Sequence, residues 1–412
     1  MIKELYLKNW KSFGDTTLYI EPVTVLMGLN ASGKSNAMDA LLFLQRSIKK
    51  DFTNIFVNDE GRDAIRGGYE EATKSGEKNF SLGVLFGNEE EDLLYEITCK
   101  IGIGNRNCEI IAEKITKINN ENIAENIILL ERGIDLKSDF ITYGKPIHVE
   151  NNVAQHSIPA SKNFSILHHV LNYRGLAEHD LGSKKCVRLA EALENIFILD
   201  VQPNSARDYT KITNKLQENG SNVAGFIAGL PEKEQKQVVA KIFMYAKQLP
   251  EKEFTNIFVE KIGRIGTDAM LYCEESFFAT QRLADARTLS EGTLRFIIIL
   301  TAILTRPAHS LLVIEEIDNG IHPSRASLLL EILLQESAAR KIDILVTTHN
   351  EAFLNVLTPH LLSFVLYVHR DKSGSSVITP IDEIQELPRL LAKGNLGDVV
   401  ADKKLHHFLN GE

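Results

Sequence analysis

Val23-Thr24-Val25-Leu26-Met27-Gly28-Leu29-Asn30-Ala31-Ser32-Gly33-Lys34-Ser35-Asn36 sets the frame for the whole chain. An apolar run ends directly on a glycine, and residues 28–35 fit the pattern G-x-x-x-x-G-K-[ST]. The segment Asn36 to Ser47 then carries apolar residues at Ala37, Ala40, Leu41 and Leu44, a helical spacing. Strand, glycine-bearing loop, helix is the context that this phosphate-binding pattern requires. Glycines let backbone N–H groups turn inward around phosphate oxygens, and the helix N-terminus adds a favourable dipole. In that reading Lys34 reaches the β/γ-phosphates and Ser35 offers its hydroxyl to Mg2+. The candidate nucleotide-binding residues are Gly28, Asn30, Ala31, Ser32, Gly33, Lys34, Ser35 and Asn36, with Ser35 also a metal ligand.

Three further pieces carry chemistry. Leu311-Leu312-Val313-Ile314-Glu315-Glu316 is an apolar strand that delivers two carboxylates at its C-terminal end, where ligands gather in open parallel sheets. Adjacent strand residues face opposite ways, which suits Glu315 for the metal shell and Glu316 as general base or water-orienting group. Ile344-Leu345-Val346-Thr347-Thr348-His349 is a second buried strand, ending in hydroxyls and a histidine able to hydrogen-bond a γ-phosphate or the attacking water. Leu289-Ser290-Glu291-Gly292-Thr293 opens an amphipathic helix with a serine cap and a glycine. Its N-terminus is either an anion site, through Ser290 and Gly292, or a plain N-cap.

Outward from these motifs, residues 1–27 read as an edge strand, a loop and the buried strand, and Phe80 to Ile118 reads as an antiparallel meander turning at Gly87-Asn88 and the acidic stretch Glu89 to Asp92. Residues 119–162 are Asn-rich and poorly periodic. Segment 164–199 reads mainly helical and closes on the strand Ile196 to Leu199, and 210–262 reads as two or three polar amphipathic helices. The last third alternates a helix from Ser290, a strand at Ser310 to Ile314, a helix from Ser324 and a strand at Ile342 to Thr347, so a mostly parallel sheet flanked by helices is expected. The pentamer Thr-Asn-Ile-Phe-Val occurs at both 53–57 and 255–259, one match and not a repeat architecture.

Composition excludes other classes. With 412 residues, 44% hydrophobic and 25% charged, the chain is an ordinary globular one. No run approaches the roughly 20 apolar residues of a bilayer span, and the start Met1-Ile2-Lys3-Glu4-Leu5 is polar where a signal peptide is apolar, so a cytoplasmic location without membrane contact is expected. Cys99, Cys108, Cys186 and Cys273 form no CxxC pair and suggest neither a disulfide framework nor a zinc site. A formal charge of −9 argues against a surface coated in positive potential for nucleic acid, although Lys49-Lys50, Arg62 with Arg66, and Lys184-Lys185 with Arg188 leave a local basic groove open.

The pieces occur in the order of an ABC-type nucleotide-binding head, with Walker A at 28–35, signature at 289–293, Walker B at 312–316 and switch histidine at 349. The chain resembles the RecF-like and OLD-like AAA ATPases of prokaryotes. The opening Ile2-Lys3-Glu4-Leu5-Tyr6-Leu7-Lys8-Asn9-Trp10-Lys11-Ser12-Phe13, the triplet Arg66-Gly67-Gly68 and the stretch Glu315 to Pro323 carry the same likeness, which hardly touches residues 120–280. The resemblance implies an α/β P-loop NTPase fold with an antiparallel β subdomain and a helical insertion. One discontinuous ATPase domain would be divided as 1–205, 206–280 and 281–412. It also implies ATP and Mg2+ as cofactors, and a head-to-tail homodimer, or a higher oligomer built from it, in which Ser290 of one subunit completes the ATP site of the other. Asp318 to His322 would lie at that seam. Two departures stand out: the signature reads Ser-Glu-Gly-Thr where transporters have Ser-Gly-Gly-Gln, as is typical of the RecF/OLD-like group, and Glu315 stands where an Asp usually binds the metal. Gln202 is a candidate for the glutamine loop.

What such heads do with ATP differs. The chain has neither a long heptad region nor a Cys hook, which disfavours the coiled-coil repair and SMC-like ATPases. The 63 residues after His349 are too few for a Toprim nuclease domain, so a nuclease would be a separate chain. The leading expectation is an ATP-driven dimeric switch acting on a separately encoded nuclease or toxin effector, or on DNA, in anti-phage defence. A RecF-like repair ATPase and a nucleotide-gated scaffold with little turnover are the alternatives.

Overall fold

In the computed structural model of the chain, the described residues are 1–57, 64–87, 92–102, 104, 106–119, 126–134, 139–143, 156–159, 161, 163–172, 181–249, 253–277, 280–320, 322–392, 394–401 and 405. Arg62, most of the acidic stretch Glu89 to Asp92, much of the Asn-rich segment 119–162, and Ile321 lie outside them. From the N-terminus, β1 (Ile2–Lys8) and β2 (Asp15–Tyr19) form a hairpin, and β3 (Val23–Met27) leads through the phosphate-loop segment into helix α1 (Lys34–Lys49). The meander follows as β4 (Asn79–Gly87), β5 (Asp92–Gly102), β6 (Asn107–Ile118), β7 (Ile127–Ile134), β8 (Asp139–Tyr143) and β9 (His156–Pro159). Helices α2 (Ile166–Asn172) and α3 (Leu181–Glu194) lead to β10 (Phe197–Leu199). Next come β11 (Thr210–Lys211), α4 (Val223–Gly229), α5 (Glu232–Ala246), β12 (Glu253–Ile262), β13 (Asp268–Phe277) and β14 (Thr280–Asp285). The final part holds α6 (Glu291–Thr305), β15 (Leu311–Ile314), α7 (Ala326–Arg340), β16 (Asp343–Thr348), β17 (Val365–Arg370) and β18 (Ser376–Pro380).

Three sheets result. The central one has the order β10-β15-β16-β3-β17-β18. Its strands pair in parallel from β10 through β17, and β18 closes the edge antiparallel. Both faces are covered, which accounts for unbroken apolar runs in place of alternation. Val25, Met27, Leu312, Ile314, Ile344 and Val346 point into one core with α6 and α7. Leu26, Leu311, Val313 and Leu345 point into the other, shared with α1 and the eight-stranded sheet β2-β1-β4-β5-β6-β7-β8-β9. Helix α1 is thus clamped between two sheets. Its Phe43 packs against Trp10, Phe52, Phe56 and Phe80, and the Trp10 indole donates to Asn36 O at 2.7 Å. That bond fixes the first turn of α1, the turn that begins with Lys34.

Two expectations are corrected. β1 is not an edge strand, because it pairs with β2 on one side and β4 on the other. Nor is 206–280 a helical insertion throughout: α4 and α5 are helices, but Glu253 onward forms an antiparallel sheet of β11 to β14. The β-branched and aromatic residues Thr255, Ile257, Phe258 and Val259 favour that strand. A register shift between Phe254 and Asn256 breaks the alternation that would have announced it. No helix among the described residues is long and apolar enough to cross a membrane.

Candidate active site

Parallel registers line up the carboxyl ends of four strands. Met27 sits beside Thr348, Val346 beside Ile314, and Ile314 beside Leu199. The residues that follow, Gly28, His349, Glu315-Glu316 and Asp200 to Gln202, therefore share one edge of the sheet, the edge at which open α/β sheets bind ligands.

The loop between β3 and α1 is a backbone cradle. Gly33 caps α1 at φ 121°, and a Cβ there would lie 2.4 Å from Ser376 Oγ, so no other residue fits. Ala31 adopts φ 63°. The loop is braced from behind, with Ser376 Oγ donating to Ser32 O at 2.5 Å and Arg370 donating to Ala31 O at 3.1 and 3.3 Å. Asn30 is exposed, and Ser35 is half-buried at the start of α1. The Asn36 amide donates to Ser12 Oγ at 2.7 Å, which makes Asn36 a brace of the helix start. Lys34 Nζ folds back on Gly28 O at 2.6 Å and Leu29 O at 3.0 Å. Burial pushes its ammonium below the ordinary lysine range, against the pull of the Glu316 and Asp318 carboxylates. Two polar atoms beside this loop are buried without a hydrogen-bond partner among the described residues: Ser32 Oγ and Asp318 Oδ1. Native proteins rarely leave such atoms unsatisfied.

The acidic side is built differently from the expectation. β15 ends at Ile314, so strand alternation does not separate the two carboxylates. Glu316 instead takes φ 47°, its amide donating to Thr347 Oγ1 at 2.8 Å and its carbonyl accepting from Arg295 at 2.7 Å. That turn leaves the Glu316 side chain exposed, within 3.3 Å of the Asn319 amide, and sends Glu315 inward. Both Glu315 oxygens accept from Arg66 Nη2, at 2.6 and 2.8 Å. Burial raises the Glu315 carboxyl above its ordinary range, against the lowering effect of Arg66, and Asp200 and Asp39 add to the rise. His349 stands exposed one residue past β16.

Ser290 caps α6 by accepting from Thr293 N at 3.2 Å, and its hydroxyl lies 2.8 Å from Thr293 Oγ1. Gly292 is required by close approach, since a Cβ there would sit 2.6 Å from Gly320 O. Helix α6 is thereby packed on the loop after Glu316 of its own chain. Arg295, one turn further along α6, donates to the carbonyls of Val201 and Glu316 and joins the ends of β10 and β15. Gln202 follows β10, beside β15, and lines a cavity of about 520 Å3 with Glu291, Arg295 and Asn319. A second cavity, about 570 Å3 and lined by Arg188, Glu191, Ala308 and His309, opens at the amino end of β15, away from this edge. Of the basic candidates, Lys49 pairs with Glu194 at 3.7 Å, Arg66 pairs with Glu315, and Lys185 and Arg188 line the second cavity.

Sequence reading missed Arg66 as a partner of Glu315, Asn319 as a neighbour of the Glu316 carboxylate, and Asp200 and Arg295 altogether. Only Arg66-Gly67-Gly68 carried a signal, a glycine pair at φ 73° and 53° that turns the chain behind the arginine.

Among the described residues no group of three or more His, Cys, Asp or Glu side chains is arranged to hold a metal alone. Of the oxygens at this edge, the Ser35 hydroxyl and the unpartnered Asp318 Oδ1 have the chemistry to take a magnesium ion brought with a nucleotide, whereas both Glu315 oxygens are held by Arg66.

A strand–loop–helix phosphate cradle next to an acidic strand end in a parallel sheet defines a P-loop ATPase-type domain. The chain belongs to the family described as "AAA domain, putative AbiEii toxin, Type IV TA system", whose profile matches residues 23–106 and 206–355, over half of its length. No curated protein matches the sequence. Among solved structures it is similar to an SmcHead bound to the C-winged helix domain of ScpA, with 14% identity and a TM-score of 0.49, covering 92% of this chain and 96% of that one. The SMC head domain from Thermotoga maritima gives 16% and 0.43, over 92% and 98% of the two chains. An Smc head with an extended coiled coil, bound to the C-terminal domain of ScpA derived from Pyrococcus furiosus, gives 12% and 0.43, over 95% and 99%.

Proposed function

We propose that the chain binds Mg-ATP at residues 28–36 and hydrolyses it as a nucleotide-driven switch whose closed state is a dimer. The observation that carries this reading is the pair of unpartnered buried oxygens, Ser32 Oγ and Asp318 Oδ1, beside Lys34 and a loop braced by Ser376 and Arg370. Lys34 releases the loop carbonyls and moves its ammonium onto the phosphates. Backbone N–H groups of the loop and the α1 N-terminus hold the anionic oxygens. Ser35 and the Glu315 side of the site would hold a magnesium ion, which would supply positive charge to offset that of the phosphates. Glu316 takes the proton of the attacking water, and His349 orients that water or the γ-phosphate.

Ser290 is exposed at the head of a long helix, which supports a second subunit's nucleotide as its ligand, while Gly292 beside it is buried against Gly320 and lets the helix start approach that loop. Contacts made by both subunits exist only in the closed dimer, so ATP shifts the population toward it. The switch controls a separately encoded nuclease or toxin, or engagement of DNA, in anti-phage defence. The family's description as a putative toxin of a type IV toxin–antitoxin system favours a second reading, in which this chain is itself the toxic component.

A complementation experiment tests the core of the proposal. Lys34→Ala abolishes binding of a fluorescent ATP analogue, and Ser290→Arg leaves binding intact but blocks turnover. Mixing the two restores turnover, because a mixed dimer keeps one whole composite site. Mixtures as inactive as either parent overturn the composite site, and unchanged analogue binding by Lys34→Ala overturns the nucleotide site itself.

A further inference from the structure

Lys11 carries a charge where the fold would ordinarily place an apolar residue. Its side chain is only 4% exposed, as is that of its partner Asp39, and Lys11 Nζ lies 2.5 Å from Asp39 Oδ2. Burial pushes the ammonium below the ordinary lysine range, against the opposing effect of Asp39. A buried ion pair is a poor stabiliser beside apolar residues of equal volume, so its presence calls for something that it fixes. The same ammonium donates to Arg66 O at 2.6 Å. Asp39 lies one helical turn beyond Ser35 on α1, and Arg66 holds both oxygens of Glu315. A continuous chain of contacts thus runs from the phosphate-loop helix through Asp39, Lys11 and Arg66 to the end of β15.

We propose that Lys11 is a positioning residue for the nucleotide site, fixing the backbone of Arg66 so that its guanidinium is held against Glu315. The Arg66 side chain is 50% exposed, so packing does not set where its guanidinium points. Its backbone does, and that backbone is pinned by the Lys11 ammonium and by Ala64 and Ile65 amides on Phe56 O. Lys11 itself is held in place at φ 49°, with its amide on Ala72 O at 3.1 Å. A methionine would fill the same volume but supply no donor to Asp39 or to the Arg66 carbonyl.

The inference rests on the nucleotide-site reading for its consequence, but its first readout needs no nucleotide. In the full chain, Lys11→Met raises amide exchange across 64–72 about tenfold while residues 40–48 of α1 stay protected. Its ATP turnover falls about tenfold in kcat with KM changed less than about twofold. Arg66→Ala gives the same loss of kcat, and Lys11→Met with Arg66→Ala loses no more than Arg66→Ala alone, because the first change acts through the second. Lys11→Met alone strands the Asp39 carboxylate, so Lys11→Met with Asp39→Leu is the companion variant. It recovers the parent's melting temperature yet keeps the fast exchange and low kcat. Recovery of all three by that pair, or multiplicative kcat losses with Arg66→Ala, overturns the positioning role. Failure of the nucleotide reading would instead appear as Lys34→Ala retaining ATP binding, with the exchange result standing on its own.

Discussion

Replacing Glu316 by Gln is the sharpest test of the acidic strand end, because the structure separates what the residue does for folding from what its carboxylate does. The backbone of Glu316 holds the φ 47° turn through Thr347 Oγ1 on its amide and Arg295 on its carbonyl. Glutamine keeps both bonds, and its Oε1 still accepts from the Asn319 amide, which lies 3.3 Å from the present carboxylate. The side chain is exposed, so the stability change stays within about 0.5 kcal/mol. Turnover is another matter. Loss of a positioned general base costs about 10²- to 10⁴-fold, or roughly 3–5 kcal/mol of barrier. Nucleotide affinity holds or rises, since a carboxylate in electrostatic reach of Lys34 is removed from a site that must accept an anion. The assays are phosphate release under saturating Mg-ATP, binding of a fluorescent ATP analogue, and molar mass by light scattering with and without ATP. Low turnover, intact binding and an ATP-dependent dimer that persists are the expected set. Hydrolysis at the parent's rate would refute the assignment of Glu316. A large fall in melting temperature would refute the argument that backbone and side-chain roles are separate.

Gly33→Ala tests the cradle. The residue at φ 121° would place a Cβ 2.4 Å from Ser376 Oγ, so the loop must shift: stability falls by about 1–3 kcal/mol and binding of the ATP analogue is lost, whereas normal binding would mean that the loop does not need this geometry. Asp343 tests burial at the other end of the sheet. Burial pushes its carboxyl up to about 7, so the folded state holds a proton that the unfolded chain releases near pH 4, and stability declines as pH rises from about 4 through 7. At about 1.4 kcal/mol per pH decade the cost is at most about 4 kcal/mol at pH 8. Asp343→Asn therefore raises the melting temperature at pH 8, with a gain that shrinks toward nothing near pH 4, and a gain independent of pH would overturn the reasoning.

The phosphate loop was legible because everything it needs is local: a buried strand, glycines at fixed offsets and a helix start lie within residues 23–36. The same holds for β15 and β16, whose apolar runs declare strands covered on both faces. Local reading failed where geometry is decided at a distance. Thr-Asn-Ile-Phe-Val is a short 3-10 turn and loop at 53–57 and a strand at 255–259, so five identical residues took their conformation from what they pack against. Glu315 and Glu316 were assigned opposite faces by strand alternation. They do part, but because Thr347 and Arg295 hold a left-handed turn after the strand has ended. The ligand of Glu315 lies 249 residues away, in a loop whose only announcement is a glycine pair behind an arginine. Nothing in a one-dimensional pattern ties Lys11 to Asp39 or Arg66 to Glu315. These contacts are charges meeting across two sheets and a helix, and they follow from the clamp that Trp10 and Phe43 impose on α1. The site is therefore readable in two layers: the groups proposed to touch phosphate are written in contiguous motifs, and the groups proposed to aim them depend on how the central sheet and the antiparallel sheet close on one helix.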